Sequence, residues 1–279
     1  MTSPFDFAIV GAGAMGSAAA WALSKAGRSV AVLEQYALGH DKGGSHGATR
    51  IFRVGTEQAH YLEMAEQSRN LWTRLESETG TELLTLTGAV EHGMSSQTAQ
   101  EFSRLLTARR VEHELLDAAA ATERWPGMRF AGPVLHQSGG GILHADQVVS
   151  GLQRLAVAQG AVIHAGTRVD RISVTEGKAP VHLHTAGGVV QAERAIVTVG
   201  SWAHQLLDGV VALPPINVTQ EQPRFFGQRD LSQPWPCFVH WRDDDGEWGK
   251  YESYGLYEAG AGVKVGLHAS GPPVDPDDR

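Results

Sequence analysis

Phe5-Asp6-Phe7-Ala8-Ile9-Val10 is a short apolar run that stops at a glycine-rich turn. It is too brief for a stable helix and has the pattern of a strand buried in a parallel sheet. From Ala14 to Ala26 the small and apolar residues Met15, Ala18, Ala19, Ala22, Leu23 and Ala26 recur at helical spacing, and Gly27 supplies a stop. Ser29 to Leu33 returns to β-type residues. The chain therefore opens on a predicted βαβ unit.

Further along, Tyr61, Ala65, Ser68, Trp72 and Leu75 fall at offsets 0, 4, 7, 11 and 14 and predict an amphipathic helix over Gln58–Glu78, closed by Gly80. Leu83–Val90 reads as a strand, Gln97–Arg110 as a helix, and Asp117–Arg124 as a short helix ended by Pro126-Gly127. The run Gly139-Gly140-Gly141 interrupts the chain before Asp146, which is placed to cap a helix over Gln147–Gln159. Strands are expected at Val162–Ala165, Arg168–Thr175, Val181–Thr185 and Ala195–Val199. From Pro214 the texture changes to proline, aromatic and short β-like pieces, with a charged loop at Asp243-Asp244-Asp245. No internal repeat is evident. The pattern predicts an α/β fold: a discontinuous Rossmann-like domain (1–82 and 142–213) and a discontinuous, more antiparallel α+β substrate domain (83–141 and 214–279).

Composition narrows the function classes. With 279 residues, 42% of them hydrophobic, the chain has material for two cores and is not globally disordered. A net charge of -8 without a Lys/Arg block argues against non-specific binding to nucleic acid or an anionic membrane; the one local basic cluster is Arg50 with Arg53. Phe7 to Ser24 is uncharged, but Gly11, Gly13, Gly16, Ser17 and Ser24 and the lack of a basic flank favour strand, turn and helix over a membrane span. The single cysteine, Cys237, excludes an intrachain disulfide and fits a reducing, cytoplasmic setting.

Gly11-Ala12-Gly13-Ala14-Met15-Gly16 fits G-x-G-x-x-G. The first glycine permits the tight turn, the second lets backbone approach a pyrophosphate, and the third allows close helix-strand contact; the helix N-terminus adds free N–H groups and partial positive charge. The motif follows a predicted strand, opens a helix and is answered by Glu34 at the end of the next strand, where a carboxylate can accept from ribose hydroxyls. Glu34 repels a 2′-phosphate and so disfavours NADP. FAD and NAD both fit the motif itself.

The next stretch, Gly43-Gly44-Ser45-His46-Gly47-Ala48-Thr49-Arg50-Ile51-Phe52-Arg53, resembles the family of monomeric sarcosine oxidase and N-methyltryptophan oxidase. Arg124-Trp125-Pro126-Gly127, Thr167-Arg168-Val169, Ile196 to Trp202 and Lys264-Val265-Gly266-Leu267-His268 extend the resemblance over essentially the whole chain. It implies FAD as cofactor and oxidation of a small secondary amino acid, with oxygen as electron acceptor and hydrogen peroxide as product. An NAD-dependent dehydrogenase fits the glycine motif but not these later stretches. The resemblance further implies that Gly11, Gly13, Met15 and Gly16 line the pyrophosphate and Glu34 the adenosine ribose. Ser45, Thr49, Arg50 and Ile51 match residues lining the flavin, with His46 beside it; Val169 meets the adenine, and Gly200 and Trp202 form a second stretch along the cofactor. Arg53 corresponds to a substrate-carboxylate binder, Tyr254 and His268 to active-site groups, and Lys264 to the lysine supporting reaction with oxygen.

Taken without the family, Lys264 between Val263 and Val265 reads as a solvent-facing strand lysine, and Arg50 and Arg53 as solvated surface groups. The family usually anchors FAD through a cysteine, but Cys237 does not match its position, which lies farther toward the C-terminus than Arg279; Cys237 reads as a buried small residue. The family's later glycine-rich flavin loop and second cationic carboxylate binder also fall beyond Arg279. A flavin-binding but catalytically incompetent chain, either a fragment or a subunit needing a partner chain, is therefore the alternative expectation. His182 and His184 share a strand face without a third ligand, so no metal site is expected. Trp235, Trp241 and Trp248 are expected in core or interface packing.

Overall fold

A computed structural model describes residues 5–54, 59–175, 178–227, 235–241 and 251–278. The chain forms two compact units: Met1–Ala48, Ala145–Val218 and Pro273–Arg279 make the first, Thr49–His144 and Thr219–Pro272 the second. The mixed α/β class is as expected, while residues 49–82 group with the second unit and not with the nucleotide domain. Their strand ladders explain this: Thr49–Phe52 and Leu84–Thr85 both pair with Gly141–His144.

The first unit carries a six-stranded sheet in the order Arg171–Thr175, Lys178–Thr185, Gly188–Val197, Phe5–Val10, Val30–Leu33, Val162–His164. The last four run parallel to one another, and the first three form an antiparallel meander. Side chains alternate across this sheet as the pleat requires. Ile9, Val30 and Val32 pack on one face with Ala12, Ala20 and Ala156, against helices Ala14–Lys25 and Ala145–Ala158. Ala8, Val10 and Leu33 pack on the other with Val169, Ile172 and Leu183. The last strand starts at Gly188, earlier than its apolar stretch suggests, because Gly188 to Ala192 pair with Val181 to Thr185 in a hairpin whose face is largely exposed. Arg168 to Asp170 lie outside any strand. Asp146 sits inside the first turn of Ala145–Ala158 and is not its cap.

The second unit holds a seven-stranded sheet in the order Arg224–Phe226, Gly262–Leu267, Tyr251–Glu258, Cys237–Trp241, Ala89–His92, Val134–Gln137, Glu114–Leu116. All its pairings are antiparallel except Cys237–Trp241 beside Ala89–His92, which is parallel. The single strand expected over Leu83–Val90 is broken in two at Gly88, whose φ of +76° ends one pairing and starts another in a different sheet. Helix Ala59–Thr79 forms as expected, but Leu62 takes the buried position and Tyr61 is 53% exposed. The buried stripe thus runs through Leu62, Ala65, Trp72 and Leu75. Ser95 caps helix Ser96–Ala108 and Asp117 caps Ala118–Arg124 through side-chain oxygens. The charged loop at Asp243–Asp245 lies outside the described residues, as does Trp248.

Candidate functional site

The glycine turn of the first unit is built around close backbone approaches. Gly11 has φ +96°, and a Cβ there would lie 2.6 Å from the Thr198 carbonyl oxygen. A Cβ on Gly16 would overlap the Gly11 carbonyl oxygen and meet Thr198 Oγ1 at 2.6 Å. Thr198 is the underlying prop, donating from Oγ1 to the carbonyls of Val10 and Gly11. Gly13 precedes the first helix with no side-chain cap, so the first-turn N–H groups of that helix lack the partners later turns have. Ser45 receives one of them, with Ala14 N–H donating to its Oγ at 3.0 Å, and sits 3.0 Å from where a Gly13 Cβ would be. Met15 projects outward, 74% exposed, so its backbone and not its side chain belongs to the turn.

Glu34 is buried and braces the same turn from below: Oε2 accepts from Ala12 N–H at 2.8 Å, and Oε1 from Tyr36 N–H at 3.0 Å. Its role here is therefore structural as well, beyond the ribose contact that its position suggests. A cavity of about 570 Å³ opens above, lined by Gly11, Gly13, Glu34, Ser45, His46, Val169, Gly200 and Trp202 among others. His46 is exposed, its Nδ1 paired with the Gly43 carbonyl. Val169 is buried in the sheet's core cluster, while Thr167 N–H and Asp170 N–H on either side bond to Glu34 O and His184 O. Behind two of the lining residues stands a partner not legible in the sequence: Asp277 accepts from Trp202 Nε1 at 2.7 Å and takes both ends of the Arg168 guanidinium, at 3.3 and 3.2 Å. The Trp202 hydrogen bond, then that of Arg168, holds the Asp277 carboxyl below the usual carboxylate range.

In the second unit, Lys264 is only 8% exposed, against the solvent-facing reading of an isolated strand lysine. Its Nζ donates to the Thr49 carbonyl at 3.3 Å and lies 3.7 Å from Glu258 Oε2, which also accepts from Thr49 Oγ1 at 2.6 Å. Across the sheet, Tyr254 is registered opposite Gly266, and its ring fills the space where a Gly266 side chain would stand, 2.5 Å from the missing Cβ. The Lys-x-Gly-x-His spacing thus has a local cause: the strand presents a lysine inward and accommodates a tyrosine ring two residues later. His268 lies just beyond that strand and is exposed. Arg50 Nη1 donates to Thr49 O at 2.8 Å, and Ile51 packs with Ala89, Ile142, Cys237 and Leu256.

Arg53 is no loose surface arginine. Its Nη1 donates to Glu91 Oε2 at 3.1 Å, and its guanidinium carbon stands 5.6 Å from the centre of the Trp241 ring. Glu91 has no exposed surface and was missed in the sequence; its signal was a lone carboxylate in the otherwise apolar run Ala89-Val90-Glu91. Trp241 is a core residue that donates Nε1 to Glu91, while Trp235 is half-buried with Nε1 on the Pro126 carbonyl at 3.3 Å. Cys237 is buried, and desolvation pushes its thiol up to about 12, the state of a packing residue and not of a nucleophile. Among the described residues no group of three or more His, Cys, Asp or Glu side chains is arranged to hold a metal, and no helix is long and apolar enough to cross a membrane.

A mixed sheet whose parallel strands lead into a glycine-rich turn, with a cavity lined by that turn, defines a dinucleotide-binding unit of the oxidoreductase kind. Residues 6–248 match the DAO family, described as FAD dependent oxidoreductase, and the chain belongs to that family. It is 30% identical over 289 residues to monomeric sarcosine oxidase of Bacillus sp. (strain B-0618), covering 99% of this chain and 72% of that protein. Peroxisomal sarcosine oxidase of Homo sapiens is 31% identical over 243 residues, covering 84% of this chain and 62% of that protein. The fold is shared with NikD, an unusual amino acid oxidase of nikkomycin biosynthesis (TM-score 0.82, 23% identity, 99% of this chain and 72% of that one). It is shared equally with L-proline dehydrogenase from P. horikoshii (TM-score 0.82, 17% identity, 98% and 72%). The protein is thus an FAD-dependent oxidoreductase of the amino acid oxidase type. The cradle fits that cofactor: two glycines leave no room for a side chain, the helix-preceding residue Gly13 offers no side-chain cap, and the adjoining cavity is lined by Gly11, Gly13, Glu34, Ser45 and Trp202.

Proposed function

We propose that this protein oxidises a secondary amino acid, such as sarcosine, N-methyltryptophan or a cyclic relative, at the carbon beside nitrogen. The product is an imine, which water hydrolyses, and O2 takes up the two electrons and two protons as hydrogen peroxide. FAD, when bound, supplies the capacity to accept a hydride equivalent. Gly11, Gly13, Met15 and Gly16 would hold its pyrophosphate through backbone, Glu34 its ribose and Val169 its adenine. Ser45, His46, Thr49, Arg50, Ile51, Gly200 and Trp202 would line the rest.

The polypeptide's own task is placement and electrostatics. Arg53 binds the substrate carboxylate and fixes the reacting carbon. Tyr254 and His268 orient the amine, whose nitrogen is neutral at the moment the oxidation draws on its lone pair. Lys264 supplies a fixed cation that stabilises negative charge developing on oxygen.

The observation that carries this reading is the burial of Lys264. An ammonium withdrawn from water costs free energy unless it is partnered, and Nζ here donates to the Thr49 carbonyl with the Glu258 carboxylate at 3.7 Å. The named relatives whose lengths it largely spans are sarcosine oxidases, which supports the substrate class. Replacing Lys264→Met tests the assignment. Reoxidation by O2, followed by stopped flow, is expected to slow by at least about a hundredfold, the range lost with one preorganised electrostatic group, while reduction by sarcosine changes little. Equal slowing of both steps would remove Lys264 from this role.

A further inference from the structure

Glu91 is a fully buried carboxylate that the proposed chemistry does not use. A charge in such a position persists only where partners compensate it. Gln137 Nε2 donates to its Oε1 at 2.9 Å, and Trp241 Nε1 and Arg53 Nη1 donate to its Oε2 at 2.8 and 3.1 Å. The first two donors are neutral and satisfy lone pairs without cancelling charge; Arg53 is the cation of the three. The guanidinium thus donates from Nη1 to Glu91 and lies over the Trp241 ring, while the Arg53 side chain stays 23% exposed.

From this we infer that Glu91 is a specificity-determining residue, which by pairing with Arg53 makes the carboxylate receptor nearly neutral and so favours zwitterionic amino acids over simple anions. The inference rests on the reading of Arg53 as the carboxylate binder. An unpaired guanidinium attracts any carboxylate. With a second carboxylate on its buried side, an incoming monoanion gains attraction from Arg53 and loses part of it to repulsion from Glu91, in surroundings that screen poorly. A zwitterion brings a cationic nitrogen into the same field, and that attraction offsets the repulsion. Discrimination by a built-in repulsive element is a general route to specificity.

The decisive variant is Glu91→Gln. An amide keeps an oxygen for Trp241 and Arg53, and its NH2 can donate to a flipped Gln137 amide, so the network stays satisfied while the charge is removed. Binding of acetate and of glycine betaine to the FAD-loaded protein is measured by calorimetry at fixed ionic strength; betaine is zwitterionic and has no N–H to form an imine. Acetate is expected to bind about tenfold more tightly in Glu91→Gln, with betaine changed less than about twofold. Tightening has the opposite sign from the loosening that a merely structural defect produces. Unchanged or weaker acetate binding overturns the inference. Should Glu91→Gln fail to fold, Gln137→Met serves instead: it leaves the Glu91 charge in place but removes a hydrogen-bond dipole that offsets it, and is expected to weaken acetate several-fold while sparing betaine, and no change would be equally fatal. Arg53→Ala separates the two levels. If it leaves acetate and betaine binding intact, or if the parent binds neither, the carboxylate-binder reading fails; if it weakens both while Glu91→Gln does nothing, only the role of Glu91 fails.

Discussion

At Gly16 a backbone oxygen decides what can be tolerated. A methyl there would overlap the carbonyl of Gly11, which Thr198 holds in place, so neither partner can yield without opening the turn. Gly16→Ala is expected to cost about 1–3 kcal/mol, as overpacking does, and to lower the fraction of protein that retains FAD through purification, read from visible absorbance and thermal melting. At Gly266 the obstacle is the Tyr254 ring, a side chain that can move. Gly266→Ala should therefore leave the FAD content intact and displace Tyr254, raising the substrate KM several-fold; unchanged steady-state constants would count against a role for that tyrosine. Gly16 was legible in the sequence because the spacing of Gly11, Gly13 and Gly16 is the signature of close approach, whereas Gly266 stood out only through the family resemblance. Glu91 and Asp277 were not, because each acts through partners far away in the chain: Trp241 is 150 positions from Glu91, and Arg168 is 109 from Asp277.

Between elements, the parallel pairing of Ala89–His92 with Cys237–Trp241 sets His92 beside His240, with their Nδ1 atoms 3.3 Å apart. Burial, and then the neighbouring His240, lowers the His92 pKa from 6.5 to about 4. In the folded chain His92 therefore stays neutral over a range in which the unfolded chain binds a proton, so its contribution disfavours folding progressively as pH falls from about 6.5 to about 4. The slope from this group is at most about 1.4 kcal/mol per pH unit. Urea unfolding of parent and His92→Gln across that window should show the shallower pH dependence in the variant; parallel curves would contradict the assignment. Helices and the first βαβ unit were readable from periodicity because each buries one face locally. Leu83–Val90 was misread because an apolar run carries no sign that Gly88 turns with positive φ into another sheet. Of the predicted helix stripe only Tyr61 is misplaced, because tyrosine and leucine are alike in apolar pattern, while it is Leu62 that joins the core cluster of Phe102 and Leu135.

On the scale of the molecule, the chain returns to the first unit twice, at Ala145 and again at Pro273, and the second return delivers Asp277 to Arg168 and Trp202. The Asp277 carboxyl is held below its ordinary range, so its stabilising effect is present above the unfolded carboxylate pKa and is lost as pH falls through the lower folded value. Asp277→Asn is expected to weaken FAD retention and to flatten the acid dependence of that retention, measured by flavin release on stepwise acidification; an unaltered release curve would exclude the clamp. The discontinuity of the nucleotide unit was visible in the order of motifs, whereas the grouping of residues 49–82 with the second unit was not, since it depends on which strands pair. In the proposed function a cradle for FAD and a set of residues for secondary amino acids serve one oxidase reaction. Its most direct test is the visible spectrum of the purified protein during anaerobic addition of sarcosine or N-methyltryptophan, followed by admission of air and a peroxide assay. Bleaching by at least one of these amines, recovery in air and stoichiometric hydrogen peroxide are the predicted result; bound flavin that no secondary amino acid bleaches would contradict it.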